Sequence, residues 1–357
     1  MRFEDSRALI VRPLPRLSVV IVTFNSRGAV RKGLGALAAQ LREGDELIVA
    51  DNASSDGSAD AVEELVPSAR VIRRPVNDGF APACGEAAAA ATGDLLVFLN
   101  PDVVPAPGFA EAIRRPMADG RDWAAWMGLV TLGEGARVNT SGGIVHFTGL
   151  GWAGQLDQPV GVVPREPHEV PFVSGACLAI PRARWEEAGG FPAWFFMYCE
   201  DVDLSLRLRL LGGRLGVEPD ARVDHEYEFA KGSLKWRLLE RNRLATVVRT
   251  YPAPLLVLVA PALLVTELAL HLVAARDGWW RQKALATVDL VRAAPRLVRE
   301  RREIQRRRAI SAAEFARWLT PELSSPYIGG VAQSGLVRGA LALYWGAVTR
   351  LLRLSRR

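Results

Sequence analysis

Between Leu17 and Met117 short apolar runs alternate with longer amphipathic segments, and this alternation constrains the fold more than any other feature. LSVVIVTF (17–24) reads as a buried strand, and residues 28–41 as a helix with Val30, Leu34, Leu37 and Leu41 on one face. ELIVAD (46–51) predicts a second strand, NASSDGS (52–58) a polar loop, ADAVEELV (59–66) a helix and RVIRR (70–74) a third strand. An Ala-rich helix over 83–91 leads into a fourth strand, DLLVFLN (94–100), and PGFAEAIRRPM starts another helix with Pro107 near its first turn. Strands that are near-continuous apolar runs separated by helices predict an α/β fold whose parallel sheet is covered on both faces. Ligands of such sheets sit beyond the carboxyl ends of the strands. Polar residues do follow those ends: Thr23 and Asn25 after the first strand, Asp51 after the second, Asn100 and Asp102 after the fourth. Loop polarity alone would scatter such residues over both ends of the sheet.

The remaining chain divides by charge. Residues 236–357 hold 21 Lys+Arg against 8 Asp+Glu, whereas 1–235 hold 24 against 31. An acidic front carrying a basic, Arg-rich back suggests two tasks, the second directed at an anionic surface. Cys84, Cys177 and Cys199 form no CxxC spacing, which argues against a disulfide framework or a zinc site and suits a reducing compartment. The segment from Met1 to Arg16 has no apolar stretch, so no signal peptide is expected there. Residues 123–190 predict mixed strands and loops, and after 236 long helices replace strands.

Chemistry concentrates in FFMYCEDVDLSLRLRLLGGRLGVEPDARVDH (195–225). Leu204, Leu206, Leu208 and Leu211 predict a helix preceded by Glu200, Asp201 and Asp203. Carboxylates at a helix start complement its dipole, so capping explains part of this cluster. Three within four residues, behind the aromatic run Trp194 to Tyr198, exceed what capping needs. Aromatic walls raise a neighbouring carboxylate's pKa and stack on sugar faces, so the cluster also suits a general base, with Trp194, Tyr198 and Glu200 as candidate substrate contacts. Asn-Pro-Asp (100–102) reads alone as a turn, and His225 alone as a structural histidine. Hard cations such as Mg²⁺ or Mn²⁺ become candidates only if the fold brings Asp102 and His225 together.

The segments VVIVTFNS (19–26), VADNASSDGS (49–58), NDGFAPACGEAAAAATGDLLVFLNPDV (77–103), SGACLAIPR (174–182) and GGFPAWFFMYCEDVDLSLRLRLLG (189–212) occur in one order. Together they resemble the family 2 glycosyltransferases of GT-A fold, in particular a bacterial rhamnosyltransferase-like branch, over about residues 17–230. The resemblance implies a Rossmann-like α/β domain with a mostly parallel sheet over 1–235 and a helical, basic, membrane-associating extension over 236–357. It implies that Thr23, Asn25 and Asp51 hold the nucleotide's base and ribose, and that Asn77, Gly79, Phe80 and Asn100 lie near the donor. Asp102 and His225 stand where the branch binds its metal, and Asp201 where it has its catalytic base. Two departures are visible: only the last residue of Asn-Pro-Asp is acidic, and Cys84-Gly85-Glu86 replaces a usual asparagine. The implied activity is metal-dependent, inverting hexosyl transfer from a nucleotide diphosphate donor, dTDP-rhamnose or a UDP-sugar, to a hydroxyl of a polyprenyl-linked or polysaccharide acceptor. A non-catalytic nucleotide-sugar-binding protein and a nucleotidyltransferase are the alternatives; TFNSRGAV lacks the Gly-rich phosphate loop of the latter.

The apolar run LLVLVAPALLVTELALHLVAA (255–275) is long enough to span a bilayer, but it contains Pro261, Glu267 and His271. An acidic residue at mid-span costs about 2.5 kcal/mol or more on insertion scales. Trp279, Trp280, the arginines of RLVRERREIQRRR (296–308) and the apolar-basic 336–357 instead predict helices lying on an anionic membrane surface. A buried helical cap, or a face for homo-oligomer formation, is the other reading. Nucleic acid is not expected as a partner, since arginine here accompanies apolar helices. Peripheral attachment at the cytoplasmic face of a bacterial plasma membrane is the location these features imply.

Overall fold

The computed structural model describes residues 14–225, 232–324 and 334–354. The segment examined for a signal peptide therefore lies almost wholly outside the described residues. The first unit runs β1 (Leu17–Thr23), α1 (Arg27–Ala38), β2 (Glu46–Asp51), α2 (Ser58–Leu65), β3 (Arg70–Arg73), α3 (Phe80–Ala89), β4 (Leu95–Leu99), β5 (Val103–Pro105) and α4 (Phe109–Ala118). The expected alternation is present. Helix α3 starts three residues earlier than its alanines suggest, at Phe80, and α4 starts after Pro107, with Gly108 as its N-cap. Continuing along the chain are β6 (Ala125–Leu132), β7 (Arg137–Thr140), β8 (Gly143–Val145), β9 (Gly151–Ala153), β10 (His168–Glu169), β11 (Cys177–Pro181), α5 (Arg182–Ala188), α6 (Glu200–Leu210) and β12 (Leu215–His225).

The main sheet has the order β10-β12-β6-β11-β4-β1-β2-β3. Strands β3, β2, β1 and β4 are mutually parallel, as are β6 and β12. Strand β11 lies antiparallel between β4 and β6. Its sequence, CLAIP, is apolar throughout because both faces are covered, and such a run carries no mark of its direction. Strands β1, β2 and β4 are buried almost end to end and form the main core with α1, α3 and α4.

From Leu234 the described elements are helices: α7 (Leu234–Thr250), α8 (Ala253–Arg276), α9 (Trp280–Arg292), α10 (Ala294–Arg306), α11 (Ala312–Ala316) and α12 (Gly335–Leu354). They share a second core with the α/β part, in which Val202, Leu206 and Leu210 of α6 meet Val247, Leu255, Val259, Phe315 and Trp345. Helix α6 is thus packed on the sheet by one face and on the helices by another. Its charged side chains follow suit: buried Asp203 accepts from Arg207 Nε of its own helix and from Arg249 Nη1 of α7, each at 2.6 Å.

Candidate active site

The donor-side residues gather at the carboxyl ends of β1, β2 and β4. Parallel pairing sets Thr23 beside Asp51, and the buried Thr23 hydroxyl donates to Asp51 Oδ1 at 2.7 Å. The other Asp51 oxygen accepts from the Ser54 amide at 3.0 Å, so the carboxylate is oriented from two sides. Asn25, left-handed at φ 50°, is exposed and accepts from the Ser55 amide through Oδ1 at 2.9 Å. Asn52 Nδ2 donates to the Gly79 carbonyl at 3.0 Å, and Asn77 Oδ1 accepts from the Gly79 amide at 3.1 Å. Arg74 braces this loop by donating to Asn52, Asp78 and Glu86. Glu86, one of the residues that departs from the family pattern, therefore has a local structural partner. Gly79 has φ 111°, and a Cβ there would sit 2.5 Å from the Phe196 carbonyl oxygen. Only glycine permits that approach, which joins the 77–80 loop to the aromatic run ahead of Asp201.

Asp102 and His225 meet through a pairing that the helix–strand rhythm does not announce. Strand β5 lies antiparallel to the end of β12, with Val103 opposite His225. That register carries Asp102, the residue before Val103, to the imidazole, where His225 Nε2 is 3.0 Å from Asp102 Oδ1. Helix α1 comes close enough to support this turn because Gly33 faces the Val103 carbonyl, where a Cβ would lie 2.2 Å away. Asn100 is tied to the opposite neighbour: its amide donates to the Ala176 carbonyl at 3.2 Å.

One residue earlier, the Gly175 amide donates to Asp201 Oδ2 at 2.9 Å. The 174–176 turn before β11 thus links the end of β4 to the start of α6, and Phe80 reaches the same glycine. Burial pushes the Asp201 carboxyl above its ordinary range, partly offset by amide donation from Gly175 and Val202. Glu200 is 7% exposed, and its Oε2 has no hydrogen-bond partner among the described residues. Burial, and then the charge of Asp201, push its carboxyl well above the usual carboxylate range. The two neighbours are therefore different groups: Asp201 accepts from the amides of Gly175 and Val202, whereas Glu200 has only its own amide as a donor that favours its ionised form. Asp203, enclosed by arginines, is structural, and Cys199 at the N-cap makes no side-chain capping bond. Tyr198 is half-buried, and its hydroxyl is pushed up by burial and by Glu200. Trp194 faces the helices, with its ring edge-on to Phe195 and under the guanidinium groups of Arg241 and Arg296.

Some residues that build this site carry no signal in the sequence. Phe196, Tyr198 and Cys199 all have positive φ, between 63° and 70°, although none is glycine. Backbone of that kind persists only when its surroundings over-determine it. Here the surroundings are α7. Buried Asn242 turns Nδ2 to the carbonyls of Phe195, Met197 and Tyr198 at 3.0, 2.9 and 2.8 Å. Its neighbour Arg241 donates through Nη2 to the Trp194 and Phe195 carbonyls at 3.0 and 2.8 Å. An Arg-Asn pair in a basic helix reads as surface until the loop beneath it is seen.

A sheet with a parallel half, polar side chains gathered at its rim and an acid–imidazole pair where β5 meets β12 are the architecture of a GT-A fold. Residues 18–147 match the model of Glycosyl transferase family 2, and the chain carries a domain of that family. It is 29% identical over 238 residues to an N-acetylglucosaminyl-diphospho-decaprenol L-rhamnosyltransferase of Mycobacterium tuberculosis, covering 60% of this chain and 78% of the relative. A pre-mycofactocin glycosyltransferase of the same species is 31% identical over 217 residues, covering 59% of this chain and 43% of the relative. In fold, the chain is similar to GalNAc-T7 crystallised with UDP, GalNAc and Mn²⁺, with a TM-score of 0.56 and 18% identity over 68% of this chain and 49% of that one.

Proposed function

We propose that the protein transfers a hexose, with rhamnose the leading candidate, from a dTDP- or UDP-linked donor to a hydroxyl of a lipid-linked glycan, with inversion. The observation that carries this reading is the meeting of Asp102 and His225 at 3.0 Å on the rim to which Gly175 ties Asp201. Thr23, Asn25 and Asp51 would receive the nucleoside, and Asn77, Gly79, Phe80 and Asn100 would border its diphosphate and sugar. Asp201 would accept the proton of the attacking acceptor hydroxyl as its oxygen bonds to the anomeric carbon and the nucleoside diphosphate departs. No second nucleophilic carboxylate is required for that displacement, whose transition state has oxocarbenium character. Trp194, Tyr198 and Glu200 would border the acceptor.

Asp102 and His225 supply one oxygen and one nitrogen ligand, a set that fits Mg²⁺ or, with its imidazole, Mn²⁺. Among the described residues no group of three or more His, Cys, Asp or Glu side chains is arranged to hold a metal. Asp102 and His225 would therefore hold such a cation only in part, as two protein ligands. When bound there, a cation would neutralise charge on the departing diphosphate. The relative in Mycobacterium tuberculosis is named for a diphospho-decaprenol substrate and for rhamnose, which supports the same substrate classes here.

Location at a membrane's cytoplasmic face is part of the proposal. Helix α8 is the one described helix long and apolar enough to cross a bilayer, with a mean hydropathy of 2.2 and only 6% of that window buried. Val257, Leu264, Val265, Leu268 and Leu272 are all exposed, which favours a surface-binding face over a buried cap. Glu267 does not face that surface unpaired, since Lys283 Nζ donates to it at 2.6 Å and Arg243 pairs with it too.

The decisive experiment is release of nucleoside diphosphate from a panel of nucleotide sugars with and without Mn²⁺ or Mg²⁺. Metal-dependent release from one donor, abolished in Asp201→Asn with nucleotide affinity retained, is the expected result. Full activity in Asp201→Asn would remove the assigned base, and release indifferent to chelation would remove the cation.

A further inference from the structure

Between α7, α9 and α10 lies an open cavity of about 560 Å³ with Trp194 on its wall. Five arginines line it, Arg237, Arg241, Arg292, Arg296 and Arg299, against a single acid, Asp289. That acid is already engaged, because Arg237 donates to its two oxygens at 2.6 and 2.9 Å. Arg241 is committed to the loop carbonyls, and Arg241 and Arg296 stand 5.4 and 5.7 Å from the Trp194 ring centroid. Arg292 and Arg299 are exposed and make no ion pair with any described residue. Guanidinium groups converging on one concave wall repel each other until an anion fills it, and their planar forks match phosphate oxygens.

The helices that carry these arginines also expose Val288, Val291 and Val298, the second of them 68% exposed. A cationic hollow carried by helices that also expose valines suits a ligand with several anionic oxygens at the end of a hydrocarbon chain. The hollow is coupled to the catalytic loop through two of its own members. Trp194 begins the run that ends at Asp201, and Arg241 holds the carbonyls of that run. We propose that this cleft binds the diphosphate of a polyprenyl-linked acceptor, the arginines clasping the phosphates and the chain leaving along the exposed valines. The proposal rests on the reading of the protein as a glycosyltransferase acting on a lipid-linked acceptor.

The test uses the full chain in detergent, with farnesyl diphosphate as probe and farnesol, inorganic pyrophosphate and phosphatidylglycerol vesicles as the other arms. The Arg292→Gln/Arg299→Gln double variant alters exposed side chains, and an unchanged melting temperature verifies its fold. Farnesyl diphosphate should bind the unaltered protein more tightly than pyrophosphate does, farnesol should not bind, and the variant should lose at least about tenfold in affinity for the diphosphate. Equal affinity in the variant overturns the proposal. So does a variant that loses only vesicle binding, which would make the cleft a headgroup site. Nucleotide binding with Mn²⁺, measured on the same samples, separates the two readings. Protein that binds nucleotide but no farnesyl diphosphate loses the cleft assignment alone, and protein that binds farnesyl diphosphate but no nucleotide loses the transferase reading alone.

Discussion

Replacing Asn242 with leucine keeps the side-chain volume and deletes the amide that spans the loop ahead of Asp201. In the native protein the amide's hydrogens are shared among three carbonyls, and Oδ1 accepts from Arg241 Nε at 2.9 Å. The Phe195 carbonyl keeps Arg241 as a donor, whereas the Met197 and Tyr198 carbonyls lose the one supplied by Asn242. A buried carbonyl deprived of its donor costs about 1–3 kcal/mol, so about 3 kcal/mol is a fair sum for the two. The left-handed conformations at Phe196, Tyr198 and Cys199 would relax in the same direction. If this energy falls on the population of the competent loop, at about 1.4 kcal/mol per decade kcat drops about 100-fold. Donor affinity should fall less than kcat, because Thr23 and Asp51 are held by β1 and β2, even though Gly79 packs on Phe196 of the loosened run. The assay is single-turnover release of nucleoside diphosphate beside calorimetric titration of the nucleotide, with Asn242→Ser, which retains one donor, expected between the two. A leucine variant with kcat within about threefold of the parent would refute the claim that α7 holds the loop.

Two further outcomes follow from buried charge and exposed apolar surface. Glu200→Gln should raise thermal stability at neutral pH, because the folded state lifts this carboxyl above its unfolded pKa. Between the ordinary glutamate value of 4.5 and the raised folded one, the folded chain holds a proton that the unfolded chain does not. The parent's stability therefore falls as pH rises through that window, and the glutamine variant should lack the fall; identical melting-temperature profiles for the two proteins in a pH series rising from 4.5 would contradict this. Leu264→Glu/Leu268→Glu places charge on an exposed face of α8 and should abolish co-sedimentation with anionic vesicles; undiminished sedimentation would remove α8 from the membrane contact.

The strands and helices up to residue 118 are legible because burial on both faces and amphipathic spacing write themselves locally. The Thr23–Asp51 contact is legible for the same reason, since it follows from adjacent parallel strand ends. What is not legible depends on partners distant along the chain. The direction of β11 is invisible in CLAIP. Asp102 and His225 are recognisable as a pair only by family likeness, because the β5–β12 register that unites them spans more than a hundred residues. Asn242 and the cleft arginines look like ordinary polar positions of basic helices, and their roles exist only once α7, α9 and α10 stand against the aromatic run. The expected boundary at 235 falls just inside α7, which begins at Leu234 and carries the residues that hold that run.

Glu240, Arg243, Glu267 and Lys283 come from three helices, α7, α8 and α9, and neutralise one another, all buried except Glu267, which is 20% exposed. Breaking such a buried set by withdrawing one member costs roughly 3–5 kcal/mol. Helix α8 therefore cannot swing away from the body like an anchor on a hinge. The exposed apolar face of α8 is thereby joined, through α7, to the loop ahead of Asp201. On the proposed reading, the depth at which that face enters a membrane would set how far a lipid-linked sugar must stand above the bilayer to reach Asp201.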